Sequence, residues 1–345
     1  MQRRADNMVT IKDLSQMLHV SPSTVSKALN GYSDVNRETA EKIREKAREL
    51  HYLPNVAARQ LKTNRSHNIG VLFVDDMACG LTHEYFSAIL NSAKEELEKL
   101  GYDMTFISDT IAGRKSNFLE HARYRNCDGV LIASVAFEAQ QVQDLLNSEI
   151  PTVTIDYPHE NISSVLSDNI EGMYELTRHL LELGHRRIGL IYGEPTLVTQ
   201  KRLNGFRRAL REFNVTLDPQ YELAGAYHDA AGSAEATRRF MELPEPPTVI
   251  MYPDDFAALG GMAELEKMKL SIPEDISITG YDGIRTSQVI RPQLTTYYQD
   301  ADSIGRRSAR KLVEEIEDKE NCVPEQIKVS GKLLLGHSVK DLRQA

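Results

Sequence analysis

Within residues 1–66, apolar positions recur every three or four places, in three short bursts separated by polar turns. "VTIKDLSQMLHV" sets Ile11, Leu14 and Leu18 on one face, with Thr10 placed to cap the helix. A turn through His19 and Val20 leads into "SPSTVSKALNG". There Ser21 stands at the cap, Pro22 at the first helical position, and Asn30-Gly31 stops the helix. Val25, Ala28 and Leu29 fall on the inner face; Ser23, Thr24, Ser26 and Lys27 fall on the outer one. "RETAEKIREKARELHY" repeats Ala40, Ile43, Ala47 and Leu50 at helical spacing and predicts a third helix. Three short helices, the first two joined by a tight turn, predict a helix-turn-helix. The hydroxyls of Ser21, Ser23, Thr24 and Ser26 are more than solubility needs. They suit a helix laid in a major groove, where hydroxyls and a lysine reach base edges and phosphates. A plain helical bundle is the competing reading.

Pro54 ends the third helix, and "NVAARQLK" after it is helix-compatible but too short to be stable alone. It carries Arg59, Lys62 and, just beyond, Arg65, with Leu61 unshielded. A leucine on a small basic helix suits a wedge in a minor groove; a linker whose leucine rests on the next domain is the alternative. From His67 the pattern changes. Short apolar runs ("NIGVLFVDD", "DGVLIASV", "TVTIDYP", "RIGLIYGEP", "TVIMYPDD", "SITGYDG") alternate with helical stretches such as "YFSAILNSAKEELEKLG", striped by Phe86, Ile89, Ala93, Leu97 and Leu100. Buried strands that do not alternate, each followed by a helix, predict parallel α/β layers. The pattern occurs twice, over about 68–165 and 166–297, so two lobes are expected to flank a cleft, with ligands at the carboxyl ends of the strands.

Charge sharpens the division. Residues 1–66 hold 12 Lys/Arg against 7 Asp/Glu, whereas the rest hold 29 against 43, so a basic head precedes an acidic body. That asymmetry fits a DNA-reading module on a regulatory domain. The 41% hydrophobic content excludes disorder. No apolar run reaches the length of a membrane span, and Arg3-Arg4 lead into no signal-like apolar segment. Cys79, Cys127 and Cys322 are scattered and odd in number, as expected of free thiols in the cytoplasm. No phosphate loop, nucleophile elbow or metal-ligand spacing is present, so neither an enzyme nor a metal or cofactor is expected. His185 in "ELGHRRIGL" reads as an imidazole complementing a helix dipole.

Polar residues gather where the body's strands end: Asp75-Asp76, Asp156, Gly193-Glu194, Asp254-Asp255 and Tyr281-Asp282. One of Asp254 and Asp255 suits a helix cap, and Asp156 suits a turn before Pro158. Carboxylates accept from hydroxyls, Arg202 offers a fork, and Tyr85, Phe86 and Tyr227 offer stacking faces. The set suits a polyhydroxylated ligand such as a neutral sugar.

"VTIKDLSQMLHVSPSTVSKALNG" followed by "YLPNVAARQLKTNRSHNIGVLF" resembles the lac/gal repressor family of bacterial transcription factors. "SVLSDNIEGMYELTRHLLELGHRRIGLI", "RLNGFRRAL", "PDDFAALGGM", "PEDISITGYDG" and "PQLTTYYQD" extend the resemblance over nearly all of the body. It implies a helix-turn-helix domain over 8–53, a hinge over 54–67 and a two-lobed, periplasmic-binding-protein-like (type I) effector and dimerisation domain over 68–345. The chain would cross between lobes three times, with 68–165 and 298–325 in one and 166–297 and 326–345 in the other. Carried over by position, Pro22, Ser23 and Lys27 would face bases, and Thr10, Ser21, Thr24, Ser26 and Asn30 phosphates. Asn55, Ala58, Arg59, Leu61 and Lys62 would lie on a hinge helix that orders on DNA, with Leu61 opening the central base step. Effector contacts would fall on Asp76, Phe86, Asp156, Arg202, Tyr227, Asp254, Asp282 and Gln299. Three departures stand out: Pro22 offers no polar group, Asp254 replaces the usual Asn, and the loop "DDMACGLTHEYF" is longer than usual. The expectation is a cytoplasmic homodimeric repressor on a near-palindromic operator, controlled by a neutral sugar. The alternative is a corepressor-type regulator on the same fold, with Tyr227 and Phe86 stacking a nucleobase. "SVKDLRQA" at the end lacks the heptads of a tetramerising coil.

Overall fold

The computed structural model describes residues 9–29, 32, 34–52, 65–74 and 80–344. Contacts divide the chain into two units, Met1–Ser66 and His67–Ala345. In the first unit, α1 (Ile11–Met17), α2 (Pro22–Leu29) and α3 (Arg37–Glu49) enclose Leu14, Val25, Ala28 and Ile43. The α1–α2 turn takes His19 at φ +51°, and the Val20 N–H closes it on the Ser15 carbonyl. Arg44 of α3 donates to the Ala28 carbonyl near the end of α2, satisfying an acceptor that the helix itself leaves open. The expected stop at Asn30-Gly31, Pro54 and the hinge segment lie outside the described residues.

The second unit begins with β1 (Asn68–Phe73), α4 (Glu84–Leu100), β2 (Asp103–Phe106), a small hairpin of β3 (Thr110–Ile111) and β4 (Arg114–Lys115), and α5 (Phe118–Tyr124). β5 (Gly129–Ser134), α6 (Gln140–Leu146), β6 (Thr152–Ile155), β7 (Ser163–Ser167) and α7 (Asn169–Glu182) follow. Then come β8 (Ile188–Tyr192), α8 (Leu197–Glu212), β9 (Glu222–Ala224), α9 (Ala230–Met241), β10 (Val249–Met251), α10 (Asp255–Lys267) and β11 (Ser277–Asp282). The chain closes with α11 (Arg285–Val289), β12 (Thr295–Tyr298), α12 (Ala301–Glu317), β13 (Gln326–Val329) and β14 (Lys332–Leu334).

Two six-stranded sheets result, ordered β13-β7-β6-β5-β1-β2 and β14-β12-β11-β10-β8-β9. Every pairing in them is parallel except β12–β14. Helices cover the faces, which is why strands such as β6 and β10 are buried along their whole length. The chain passes between lobes three times: after β7, after β12 and between β13 and β14. The last passage falls past Val329 rather than at 325/326, because Gln326–Val329 adds an edge strand beside β7. The stripe of α4 also shifts: Tyr85, Ile89, Ala93 and Leu97 are buried, Phe86 is half-buried and Leu100 is exposed. Among the described residues no helix is long and apolar enough to cross a membrane.

Candidate functional site

Two sites emerge, one on each unit. On the first, Ser21, Pro22 and Ser23 are exposed at the start of α2, while Thr24, Ser26 and Lys27 are half-buried beside them. Val25 and Ala28 point into the core, so α2 presents the outward face that the spacing predicts. Ser21 caps α2: its hydroxyl accepts from the Thr24 N–H at 3.0 Å and lies 2.8 Å from the Thr24 hydroxyl. Thr10 caps α1 in a capping box, donating its hydroxyl to Asp13 at 2.7 Å while accepting from the Asp13 N–H. Lys27 pairs with Asp34 in the turn before α3, with both side chains substantially exposed. Asn30 and the hinge positions Asn55, Ala58, Arg59, Leu61 and Lys62 lie outside the described residues.

The second site centres on Arg202, in the second turn of α8 and 6% exposed. Its Nε donates to Asn169 Oδ1 and its Nη1 to the Pro253 carbonyl, both at 2.8 Å. Its Nη2 stands 3.7 Å from Asp282, and the guanidinium lies 3.7 Å over the Tyr281 ring. The fork expected to meet a ligand is therefore committed mostly to the protein. Tyr227 lies 5.3 Å from the guanidinium, and its hydroxyl meets Thr199 at 2.7 Å. The Tyr227 ring rests on Gly193, where any Cβ would come within 2.3 Å of it, so glycine is needed there.

Asp282 accepts from Gln299 Nε2 at 2.7 Å, while Gln299 Oε1 is buried without a hydrogen-bond partner. Asp156 is half-buried and accepts from the Ser167 N–H at 2.6 Å, tying the end of β6 to the end of β7. Asp156 and Asp282 both have positive φ, +56° and +103°. Such backbone strain persists where the surrounding structure enforces it, and it collects at ligand sites. Burial raises the pKa of Asp156, Asp254 and, most strongly, Asp282, against the partial opposition of Arg202. Burial also pulls on Arg202, but Tyr227, Tyr281 and Asp282 more than offset it and leave the guanidinium firmly charged. Arg202 thus faces three carboxylates that burial makes reluctant to ionise, an arrangement that favours a donor-rich ligand.

The remaining expectations separate. Asp254 is the cap of α10, accepting from the Ala257 N–H at 2.7 Å with one oxygen and from the His228 N–H at 2.5 Å with the other. Its primary duty is structural. Phe86 does not meet Arg202; it packs against Phe73, His83 and Tyr85 at 4.9–5.3 Å. Asp76 lies outside the described residues. A cavity behind Tyr227, bounded by Tyr192, Thr199, Arg202, Leu203 and Phe206, holds about 10 Å3 and is too small for an effector. His185 is buried, with its ring nitrogens 2.8 Å from the Thr248 hydroxyl and 3.1 Å from the Lys340 carbonyl, and burial lowers its pKa to about 4. Burial thus disfavours the charged imidazole, and the complement to the helix end comes from the neighbouring arginine: Arg186 donates to the Leu181 carbonyl. Sequence reasoning missed Asn169, His83 and His228, and named Tyr281 only as the strand-end neighbour of Asp282. Asn169 sits at the first position of α7 and reads as an ordinary helix start.

Comparisons with known proteins find matches to both units. Residues 10–55 match the family described as bacterial regulatory proteins, lacI family, and residues 177–339 match a periplasmic binding protein-like domain. The repressor named HTH-type transcriptional repressor PurR from Haemophilus influenzae Rd is 33% identical over 342 residues, covering 97% of this chain and all of that protein. Its namesake from Aliivibrio salmonicida is 31% identical, covering 90% and 93%. Among solved structures, the lac repressor dimer bound to operator and the anti-inducer ONPF shares the fold, with a TM-score of 0.77 at 24% identity over 96% of this chain and 99% of that one. A LacI family regulator from Enterococcus faecium with bound ribose gives a TM-score of 0.71 at 28% identity, covering 80% and 99%.

Proposed function

Because the chain belongs to the lacI family of bacterial regulatory proteins and is a DNA-binding transcriptional regulator, we propose that it is a repressor whose operator affinity is raised by a small nitrogenous base held between its lobes. The observation that carries the choice of ligand is the surplus of buried acceptors around Arg202. Asp282, Asp156 and the unpartnered Gln299 Oε1 call for N–H donors, and the Tyr227 face suits a flat ring. The name PurR, shared by relatives matched along their whole length, favours this reading over the neutral sugar. A sugar fits the acceptors too, and the ribose-bound neighbour keeps it as the second reading.

A thermal-shift screen of hypoxanthine, guanine and adenine against ribose, cellobiose and other neutral sugars separates the two. A cognate ligand at about 100 times its dissociation constant adds roughly 2.7 kcal/mol of stability. The expected result is that a base raises the melting temperature and tightens operator binding in fluorescence anisotropy. Stabilisation by a sugar and by no base would overturn the choice.

On the DNA side, the exposed Lys27–Asp34 pair costs little to open, since such pairs contribute about 0–1 kcal/mol. Lys27 is therefore free to swing onto a base edge. Lys27→Ala should weaken cognate operator binding by about 1–3 kcal/mol and random DNA far less. Asp34→Ala should leave operator affinity within about fivefold of wild type. Equal losses on both DNAs for Lys27→Ala, at one salt concentration, would make Lys27 a phosphate contact.

A further inference from the structure

The first two residues at the start of α4 reach across the cleft. His83 holds the cap position of that helix but makes no capping hydrogen bond with its side chain. Its ring is set edge-on by Phe86 of the same lobe at 4.9 Å and stacks on His228 of the other lobe at 4.3 Å and 20°. His228 in turn stacks on Phe256 at 3.9 Å and 9°. Glu84, the next residue, accepts from the Thr286 N–H at 3.2 Å and from the Thr286 hydroxyl at 2.9 Å. Helix α11 has Ile284 at its cap position, which offers no side-chain acceptor, so a residue of the opposite lobe supplies one.

Both gripped elements are anchored from behind by neighbouring carboxylates. Asp254 holds the His228 N–H, and Asp255 holds the Ile284 N–H at 2.8 Å. The Ile284 side chain is buried in the hydrophobic core of the first lobe. Two adjacent first-lobe residues therefore meet two second-lobe segments that share one rigid support, the start of α10.

We propose that His83 and Glu84 form a clasp that holds the lobes together and sets how far effector binding changes operator affinity. They are positioning residues: His83 orients the ring ladder and Glu84 orients α11, the helix that follows Asp282. The clasp rests on reading the two lobes as an effector domain, but not on the effector's identity, so its test uses no ligand.

Hydrogen exchange followed by mass spectrometry on the full-length protein reads each grip separately. Losing one contact locally would speed exchange only in the segment touched. A clasp makes the two grips interdependent. His83→Ala should speed exchange at 283–290, and Glu84→Ala should speed it at 226–232, each roughly tenfold, while β10 stays protected. His83→Phe keeps a stacking ring and should restore slow exchange at 283–290. His228→Ala breaks the same stack from the second lobe and should reproduce His83→Ala, which covers the case in which a change at the start of α4 disturbs folding. Exchange that changes only in the segment each residue touches would overturn the proposal, whichever ligand the domain takes.

Discussion

Arg202→Ala is expected to lower the stability of the effector domain by about 3–5 kcal/mol, as well as to abolish the effector response. The guanidinium is nearly fully buried, and its removal leaves three groups stranded at once. Asn169 Oδ1 and the Pro253 carbonyl lose their donor, and Asp282 loses the cation that opposes its burial. The flat contact with Tyr281 goes as well. Lysine cannot repair the loss, because a single ammonium does not reproduce a fork that serves two acceptors while lying on a ring. At about 2–4 °C per kcal/mol for a domain of this size, the melting temperature should fall by roughly 10 °C. Adding Asp282→Asn should recover part of that, since it removes a carboxyl whose burial Arg202 no longer opposes, and the double-mutant cycle should show coupling of about 0.5–3 kcal/mol. A variant with wild-type melting and no effector response would instead make Arg202 a pure ligand contact.

That keystone role was hidden in the sequence for a definite reason. Strand-end position and charge type are legible, so Asp156 and Asp282 stand out as strand-end carboxylates and Arg202 as a guanidinium near a helix start, whereas Gln299 follows only from the family resemblance; Arg202, Asp282 and Gln299 meet in the structure. What a side chain is already bonded to depends on segments far away in the chain: Asn169 and Pro253 reach Arg202 from 33 and 51 residues off. The same limit explains Asp254, whose two oxygens are taken by a local helix end and a distant loop. Strands β1, β2 (within "YDMTFISDT"), β5, β6, β8, β10 and β11 are legible as apolar runs. Strand β7, "SSVLS", did not, because its serines are buried in polar partnerships: Ser164 with Thr154 at 2.8 Å and Ser163 with Glu315. The middle of the α4 stripe, Ile89, Ala93 and Leu97, is buried as its spacing predicts, and only its ends differ: Tyr85, whose hydroxyl meets Ser167, is buried in place of Phe86, and Leu100 is exposed. The His83–His228 stack has no local signature at all; it joins two lobes from residues 145 positions apart.

Asp255→Asn should raise stability least near pH 4.5, by about 1 kcal/mol, and increasingly towards pH 8. Asp255 is completely buried, and burial lifts its pKa from 3.8 to about 7, although Thr296, Ser287 and the Ile284 N–H pull the other way. In the unfolded chain the carboxyl ionises near its ordinary value, while in the folded protein it keeps its proton until about pH 7. Folding therefore takes up a proton between those values, and stability falls as pH rises through that window and levels off above it. A shift of about three pKa units corresponds to roughly 4 kcal/mol, an upper bound on what asparagine can recover at pH 8. Asparagine keeps an oxygen for the Ile284 N–H, so the loop after Asp282 stays tethered. Alanine removes that acceptor and should destabilise most at low pH, by about 1–3 kcal/mol for the stranded N–H, a loss that shrinks as pH rises and the charge penalty it relieves grows. Urea unfolding of wild type and Asp255→Asn from pH 4.5 to 8 gives the comparison directly. Curves that run parallel across the range would mean that Asp255 is ionised in the folded state, and the Ile284 loop would then be held by a charged carboxylate whose surroundings compensate its burial.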